Sequence, residues 1–373
     1  MHIILLSFLA SFVLVYISTP AVIRIARKKH LMDVPLERSS HTELTPSLGG
    51  IPIFLGTIFS LLLLAPSSGF TELQYVLCSL VVIFMIGAKD DIEPLRPHQK
   101  LIGQLAAAVI LTIKGGVVLE GLYGLGGSSA TFPPWLAFGL TVFVLLTIIN
   151  SFNLIDGING LAGGVGALIC ITFGCWFLVT GSSSLATLAL ALAGALLAFL
   201  RYNLTPARIF MGDTGSLIVG TVCGILAIEF IDRCAALPPG SAAAFRHPIA
   251  VAAAVLIVPL FDTARVFITR IFRGHSPFSP DRRHIHHLLI DYGHSHLRAT
   301  GILLLLNVLL VSLIFLLDPY LGLHVLLLIE IAVAGGLTFF LHRRVVRRNL
   351  AILALTTPDR AARRERPEFS LPE

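Results

Sequence analysis

Apolar runs long enough to cross a bilayer recur along this whole chain, and no other feature restricts its fold so much. They lie near 2–23, 49–66, 72–88, 101–117, 134–150, 161–180, 183–200, 214–231, 248–269, 299–317 and 322–341. A spanning helix needs about 20 such residues. The expected fold is therefore all-α, a polytopic integral membrane protein with about eleven transmembrane helices. Hydrophobic residues make up 55% of the chain and charged ones 13%, against about 25% charge in a soluble domain. A soluble α/β enzyme is excluded. The first run is too long for a signal peptide, and its basic cluster follows it, so it reads as a retained helix.

With eleven spans, the loops 24–48, 89–100, 151–160, 201–213 and 270–298 share one face with the tail from 342. Of the 27 Lys and Arg, only Lys114, Arg233 and Arg246 fall on the other face. The positive-inside rule makes the rich face cytoplasmic, with the N-terminus outside and the C-terminus inside. Residues 1–341 then form one transmembrane domain with cytoplasmic loops. Residues 342–373 form a basic cytoplasmic tail, expected to be partly disordered beside anionic lipid. The five cysteines show no metal-ligand spacing and read as reduced packing residues.

The chemically rich stretches all belong to that basic face. "NSFNLIDGINGLAGG", residues 150–164, sets Asn150, Asn153, Asp156 and Asn159 at the mouth of a helix. Asp156 and Asn159 share a helical face, and Gly157 and Gly160 let backbone or ligand approach closely. Capping explains one such residue. Four suit hydrogen bonding to a sugar, a base or metal-bound phosphates. Asp90 and Asp91 end the third run. Paired carboxylates repel unless a cation sits beside them; the plainer alternative is a solvated helix end neutralised by Lys89 and Lys100. Asp213, in "FMGDTGSL", stands at a helix start that favours anions. It either caps that helix or holds a metal that meets a phosphate. "DRRHIHHLL" carries Arg282, Arg283, His284, His286 and His287, donors that fit phosphate oxygens. No thiolate or Glu accompanies them at zinc spacing. Asp262 and Arg265 lie three apart, an intramembrane ion pair that is either structural or functional. A lipid or sugar-phosphate transporter, the competing class, would spread polar residues through the membrane depth. Carboxylates, basic phosphate ligands and a membrane point instead to phosphoryl transfer involving a lipid.

"TPSLGG", "DD" followed by "KLIGQ", "NLIDGINGLAGG", "PARIFMGDTGSL" and "SPFSPDRRHIHHLL" occur in this order between residues 33 and 297. Together they resemble the polyprenyl-phosphate N-acetylhexosamine-1-phosphate transferases, the group that includes the muramyl-pentapeptide phosphotransferase. The last motif is similar to the branch that uses simple UDP-N-acetylhexosamines, and eleven helices suit that branch. The resemblance implies transfer of a sugar-1-phosphate, GlcNAc-1-phosphate first, from a UDP-sugar to undecaprenyl phosphate, giving UMP. It implies Mg²⁺, with Mn²⁺ as a substitute. It also implies a place in the bacterial cytoplasmic membrane, lipid partners, room for a homodimer and no nucleic acid. By position, Asp213 and Asp156 would hold the metal. Asp90 and Asp91 would sit by the attacking lipid phosphate, and Lys100 would bind phosphate. Asn150, Asn153, Gly157, Asn159, Asn203 and Phe210 would contact the nucleotide sugar, as would Arg282, Arg283, His284, His286 and His287. Asn159 stands where the family's "DGxDG" has a second acid, and Lys89 where small residues are usual.

Overall fold

The computed structural model describes residues 2–32, 44–65, 70–127, 130–238, 240–274 and 284–356, with side chains outside 70–72 and 349–356. The helices are α1 (His2–Lys28), α2 (Gly50–Leu64), α3 (Phe70–Ile92), α4 (Pro97–Ile113), α5 (Pro134–Ile155), α6 (Leu161–Val179) and α7 (Ser183–Asn203). They continue as α8 (Gly212–Ala235), α9 (Pro248–Val255), α10 (Ile257–Phe272), α11 (Ile285–Asp291), α12 (His296–Leu317) and α13 (Leu323–Thr356). No strand longer than an isolated bridge, Gly121 with Thr131, is present among the described residues.

By length and composition, α1, α5, α6, α7, α8, α12 and α13 can each cross a membrane. α9 and α10 make an eighth span if counted together, and α2 is a shorter apolar helix. The outer helices are apolar toward the outside. Ile4, Ser7, Ser11, Val15 and Thr19 form the buried stripe of α1, while Leu5, Leu9, Val13 and Ile17 are exposed. In water that surface would be a liability; against acyl chains it is the favoured one. At the centre, α7 and α8 are buried along almost their whole length. Small residues permit this closeness. A Cβ on Gly194 of α7 would collide with the Phe8 carbonyl of α1.

The run predicted over 248–269 is not one straight helix. It breaks at Leu256, and α9 and α10 meet at 81°. Pro259 explains the break, because it has no N–H to give the Val255 carbonyl four residues earlier. Inside a membrane the freed carbonyls need another donor. The buried Asn307 of α12 supplies it, its Nδ2 donating to Ala254 O at 3.1 Å and Val255 O at 3.3 Å. Pro20 in α1 is handled the same way. The Tyr16 carbonyl it leaves free accepts from Tyr202 Oη at 2.9 Å. Two further features were not foreseen. The His-rich stretch contains the short helix α11, and α13 runs on through residue 341 to Thr356.

Candidate functional site

The C-termini of α3 and α5 and the N-termini of α4 and α8 converge. The "TPSLGG" strap fixes the start of α8 by backbone pairing. Phe210 N donates to Pro46 O at 2.8 Å, Gly49 N to Phe210 O at 2.9 Å and Gly50 N to Met211 O at 2.8 Å. Gly212 turns the chain into α8 at φ +72°, and a Cβ there would strike Ser47 O. Only glycine meets both demands. Asp213 does not cap α8. Asp91 does so from the end of α3. Its carboxylate accepts from Asp213 N at 2.7 Å, Thr214 N at 3.0 Å and Thr214 Oγ1 at 2.5 Å. That leaves the Asp213 side chain facing the neighbouring helices.

Lys100, in the first turn of α4, holds the centre. Its ammonium donates to Asp90 Oδ2 and Asn153 Oδ1, each at 3.3 Å, and to Asp213 Oδ2. Asn153 Nδ2 donates in turn to Asp213 Oδ1 at 2.7 Å and Ser216 Oγ at 3.0 Å. Asp90 also accepts from Leu95 N at 2.6 Å, which closes the α3–α4 turn. Four separate segments thus meet on one ammonium. Burial pushes the Asp91 carboxyl up to about 7, against its bonds from Thr214. Burial, with the Asp91 charge second, also raises Asp156 to about 7. Asp156 is the residue at which α5 ends, and among the described residues nothing donates a hydrogen bond to its carboxylate. It is the one acid at this site without compensation.

The rest of the stretch 150–164 divides into functions the sequence did not separate. Asn150 lies a turn deeper, where Nδ2 donates to Gln104 Oε1 and Leu146 O, both at 2.8 Å, and ties α5 to α4. Asn203 braces the turn before α6, accepting from Gly160 N at 2.7 Å and donating to Ile209 O at 2.9 Å. Asn159 reaches Thr205 Oγ1 at 3.3 Å from the half-exposed rim. Gly157 packs directly on the His286 ring, so that any Cβ would clash with Nε2.

His286 is 1% exposed, and both of its ring nitrogens lack a partner among the described residues. Burial, then the neighbouring His287, pushes its pKa down to about 3, so it is a neutral imidazole. His284 lies parallel to it at 5.6 Å and His287 tilted at 4.3 Å. The buried Asp262 anchors this helix. It accepts from Ile285 N and Arg265 Nη2, and its Oδ2 pairs with His284 Nδ1, each at 2.8 Å. Arg282 and Arg283 lie outside the described residues. Sequence reasoning missed Gln104, Ser216 and Thr214 at the site. A lone Gln inside the apolar run "LIGQLAAAV" was the available signal for the first.

Among the described residues no three of His, Cys, Asp and Glu are grouped to hold a metal. The donors nonetheless fit a hard cation that keeps most of its waters and takes one or two carboxylates, as Mg²⁺ does. The uncompensated Asp156 and the Lys100 ammonium drawn onto Asp213 and Asp90 both mark a place that demands positive charge.

Fold and site together define a multi-pass helical membrane protein with an acid-rich polar centre where its helices end. Residues 73–231 match the model of glycosyl transferase family 4. The chain is 33% identical over 297 residues to a probable undecaprenyl-phosphate N-acetylglucosaminyl 1-phosphate transferase of Bacillus subtilis (strain 168), covering 79% of each protein. It is 33% identical over 311 residues to a decaprenyl-phosphate N-acetylglucosaminephosphotransferase of Mycolicibacterium smegmatis, covering 78% of this chain and 76% of that one. With an undecaprenyl-phosphate alpha-N-acetylglucosaminyl 1-phosphate transferase of Escherichia coli (strain K12) it shares 32% identity over 301 residues, covering 78% and 77%. The protein belongs to glycosyl transferase family 4.

Proposed function

We propose that the protein transfers GlcNAc-1-phosphate from UDP-GlcNAc to undecaprenyl phosphate, releasing UMP and starting a cell-envelope polysaccharide. The carrying observation is the Lys100 junction, which gathers Asp90, Asn153 and Asp213 where four helices end. The names of the relatives, matched over four-fifths of the chain, support the substrates.

A lipid phosphate oxygen attacks the sugar-bearing phosphorus, and the bond to the second phosphate breaks to free UMP. One phosphoanhydride replaces another, so no ATP is required. The phosphate's second pKa is about 6, so the nucleophile is largely ionised at neutral pH without a base. Repulsion between anions is the barrier. Lys100 and the Asn153 amide meet that negative charge at fixed positions, and preorganised donors of this kind lower such barriers most. Asp90 holds Lys100 in place. Asp91 acts by positioning, through the start of α8. His286, neutral and without a hydrogen-bond partner among the described residues, faces Gly157 as a donor for the diphosphate or sugar. Asp213 and Asp156 would hold Mg²⁺, which when bound supplies charge neutralisation at the phosphates.

We also read the topology as eleven spans with the site facing the cytoplasm, in line with the distribution of Lys and Arg. Purified protein is expected to release UMP from UDP-GlcNAc only when polyprenyl phosphate and Mg²⁺ are both present. Movement of substrate without UMP release would favour a transporter and sink the reading.

A further inference from the structure

A second polar cavity lies away from the Lys100 junction. It measures about 500 Å³ and is lined by Tyr292, Gly293, His294, Arg298, Arg344 and Arg348. Three elements build it: the turn after α11, the first turn of α12 and the late part of α13. Three guanidinium groups share one wall system. Among the described residues no carboxylate pairs with any of them. Like charges gathered this way repel, and the arrangement becomes favourable when an anion enters. The backbone accommodates it. Gly293 has φ +107°, and a Cβ there would collide with the Arg348 guanidinium.

The depth of the cavity narrows the choice of anion. Arg344 stacks on Phe340 at 4.7 Å and Arg343 on Phe339 at 5.2 Å. Both rings are exposed, at 55% and 62%, at the end of the apolar part of α13. Apolar Phe rings stay with acyl chains while arginines at a helix end reach toward the headgroups, so their junction fits the level where the two meet. Guanidinium forks fit phosphate oxygens in pairs, and basic pockets between helices at this level suit anionic headgroups.

We propose that this cavity binds the phosphate of an anionic membrane lipid. The site is independent of the transfer reaction and does not rest on it. Its occupant would tie α13 to α11, the helix that presents His286 to Gly157.

The test uses the full chain in a neutral detergent. Short-chain phosphatidylglycerol, phosphatidylcholine and inorganic phosphate are titrated in separate arms while the unfolding midpoint is followed. Phosphatidylglycerol is expected to raise the midpoint saturably, and the other two are not. R344Q/R348Q should weaken the apparent affinity by about tenfold or more, and R344K/R348K should lose less. UMP release in neutral detergent should be unchanged in both variants. If R344Q/R348Q does not fold, R298Q carries the same expectation from α12. An unaltered phosphatidylglycerol response in a folded Gln variant overturns the proposal. So does an equal response to phosphatidylcholine, which would be non-specific, or to inorganic phosphate, which would make it a soluble-anion site.

Discussion

At the residue scale, Lys100 and Asp156 are opposite cases. Lys100 has three partners, so replacing it removes the cation that Asp213 and Asp90 share and leaves them the Asn153 amide and the Leu95 N–H. K100M is expected to lose UMP release by about a hundredfold or more. The chain should still fold, as judged by its elution as a monodisperse peak, because the junction is partly solvated. Near-normal turnover would remove Lys100 from the mechanism. Among the described residues Asp156 has no hydrogen-bond partner to lose, so D156N should leave stability unchanged while nearly abolishing UMP release. Among the described residues the Asn159 side chain makes one long bond from the rim, whose loss costs about 1 kcal/mol, and its backbone bonds to His296 and Thr300 survive the substitution. N159D is therefore expected to stay substantially active, with sugar preference the property most open to change. Assaying D156N and N159D side by side decides the matter, and an inactive N159D would make Asn159 a specific amide ligand.

Helix ends and helix breaks dominate at the element scale. Asp91 caps α8 across an interhelical gap, through two backbone N–H groups and the Thr214 hydroxyl. D91A should destabilise the protein by about 1–2 kcal/mol, the usual cost of a lost cap, and should lower turnover because Asp213 is the first residue to shift. D91N, which keeps the shape and the Thr214 hydroxyl contact, should recover part of the stability. A D91A protein with unchanged melting but no activity would instead put the Asp91 carboxylate in contact with substrate. Asn307 performs the matching service at the α9–α10 break. N307L takes a donor from two buried carbonyls; Ala254 O keeps the Leu256 N–H, while an unpaired Val255 O costs about 1–3 kcal/mol. The measured effect should be a lower melting temperature, with turnover falling because α10 carries Asp262 and, through it, the His helix.

The whole molecule surrounds a polar centre with an apolar jacket, and its sidedness can be tested directly. A cysteine placed at Ser241, between α8 and α9, is expected to react with an impermeant maleimide added to intact cells. One placed at Glu93, between α3 and α4, should react only after the membrane is opened. Glu93 is exposed and Ser241 half-buried on a loop beside the exposed Ala242, so Ala242→Cys serves as a second external probe and accessibility reports the side of the membrane. Labelling of Glu93→Cys in intact cells would invert the proposed topology.

Hydropathy alone determined that the chain is helical and multi-pass, because apolar run length and lipid leave few other solutions. Motif chemistry alone brought Asp90, Asp91, Lys100, Asn153 and Asp213 onto one face. What spacing could not reveal was the division of labour among look-alike residues. Asp90 and Asp91 are adjacent, yet one faces Lys100 and the other caps a helix some 120 residues later. Asn150 and Asn153 are one helical turn apart, yet one crosslinks α4 to α5 and the other meets the ammonium. Run length likewise concealed the 81° break after α9, since a bent pair and a straight span have the same hydropathy. These outcomes depend on partners distant in sequence, Gln104, Thr214 and Asn307, that only packing brings within hydrogen-bond reach. A buried polar group takes whichever donor the fold delivers, and one sequence read along its length does not contain that proximity.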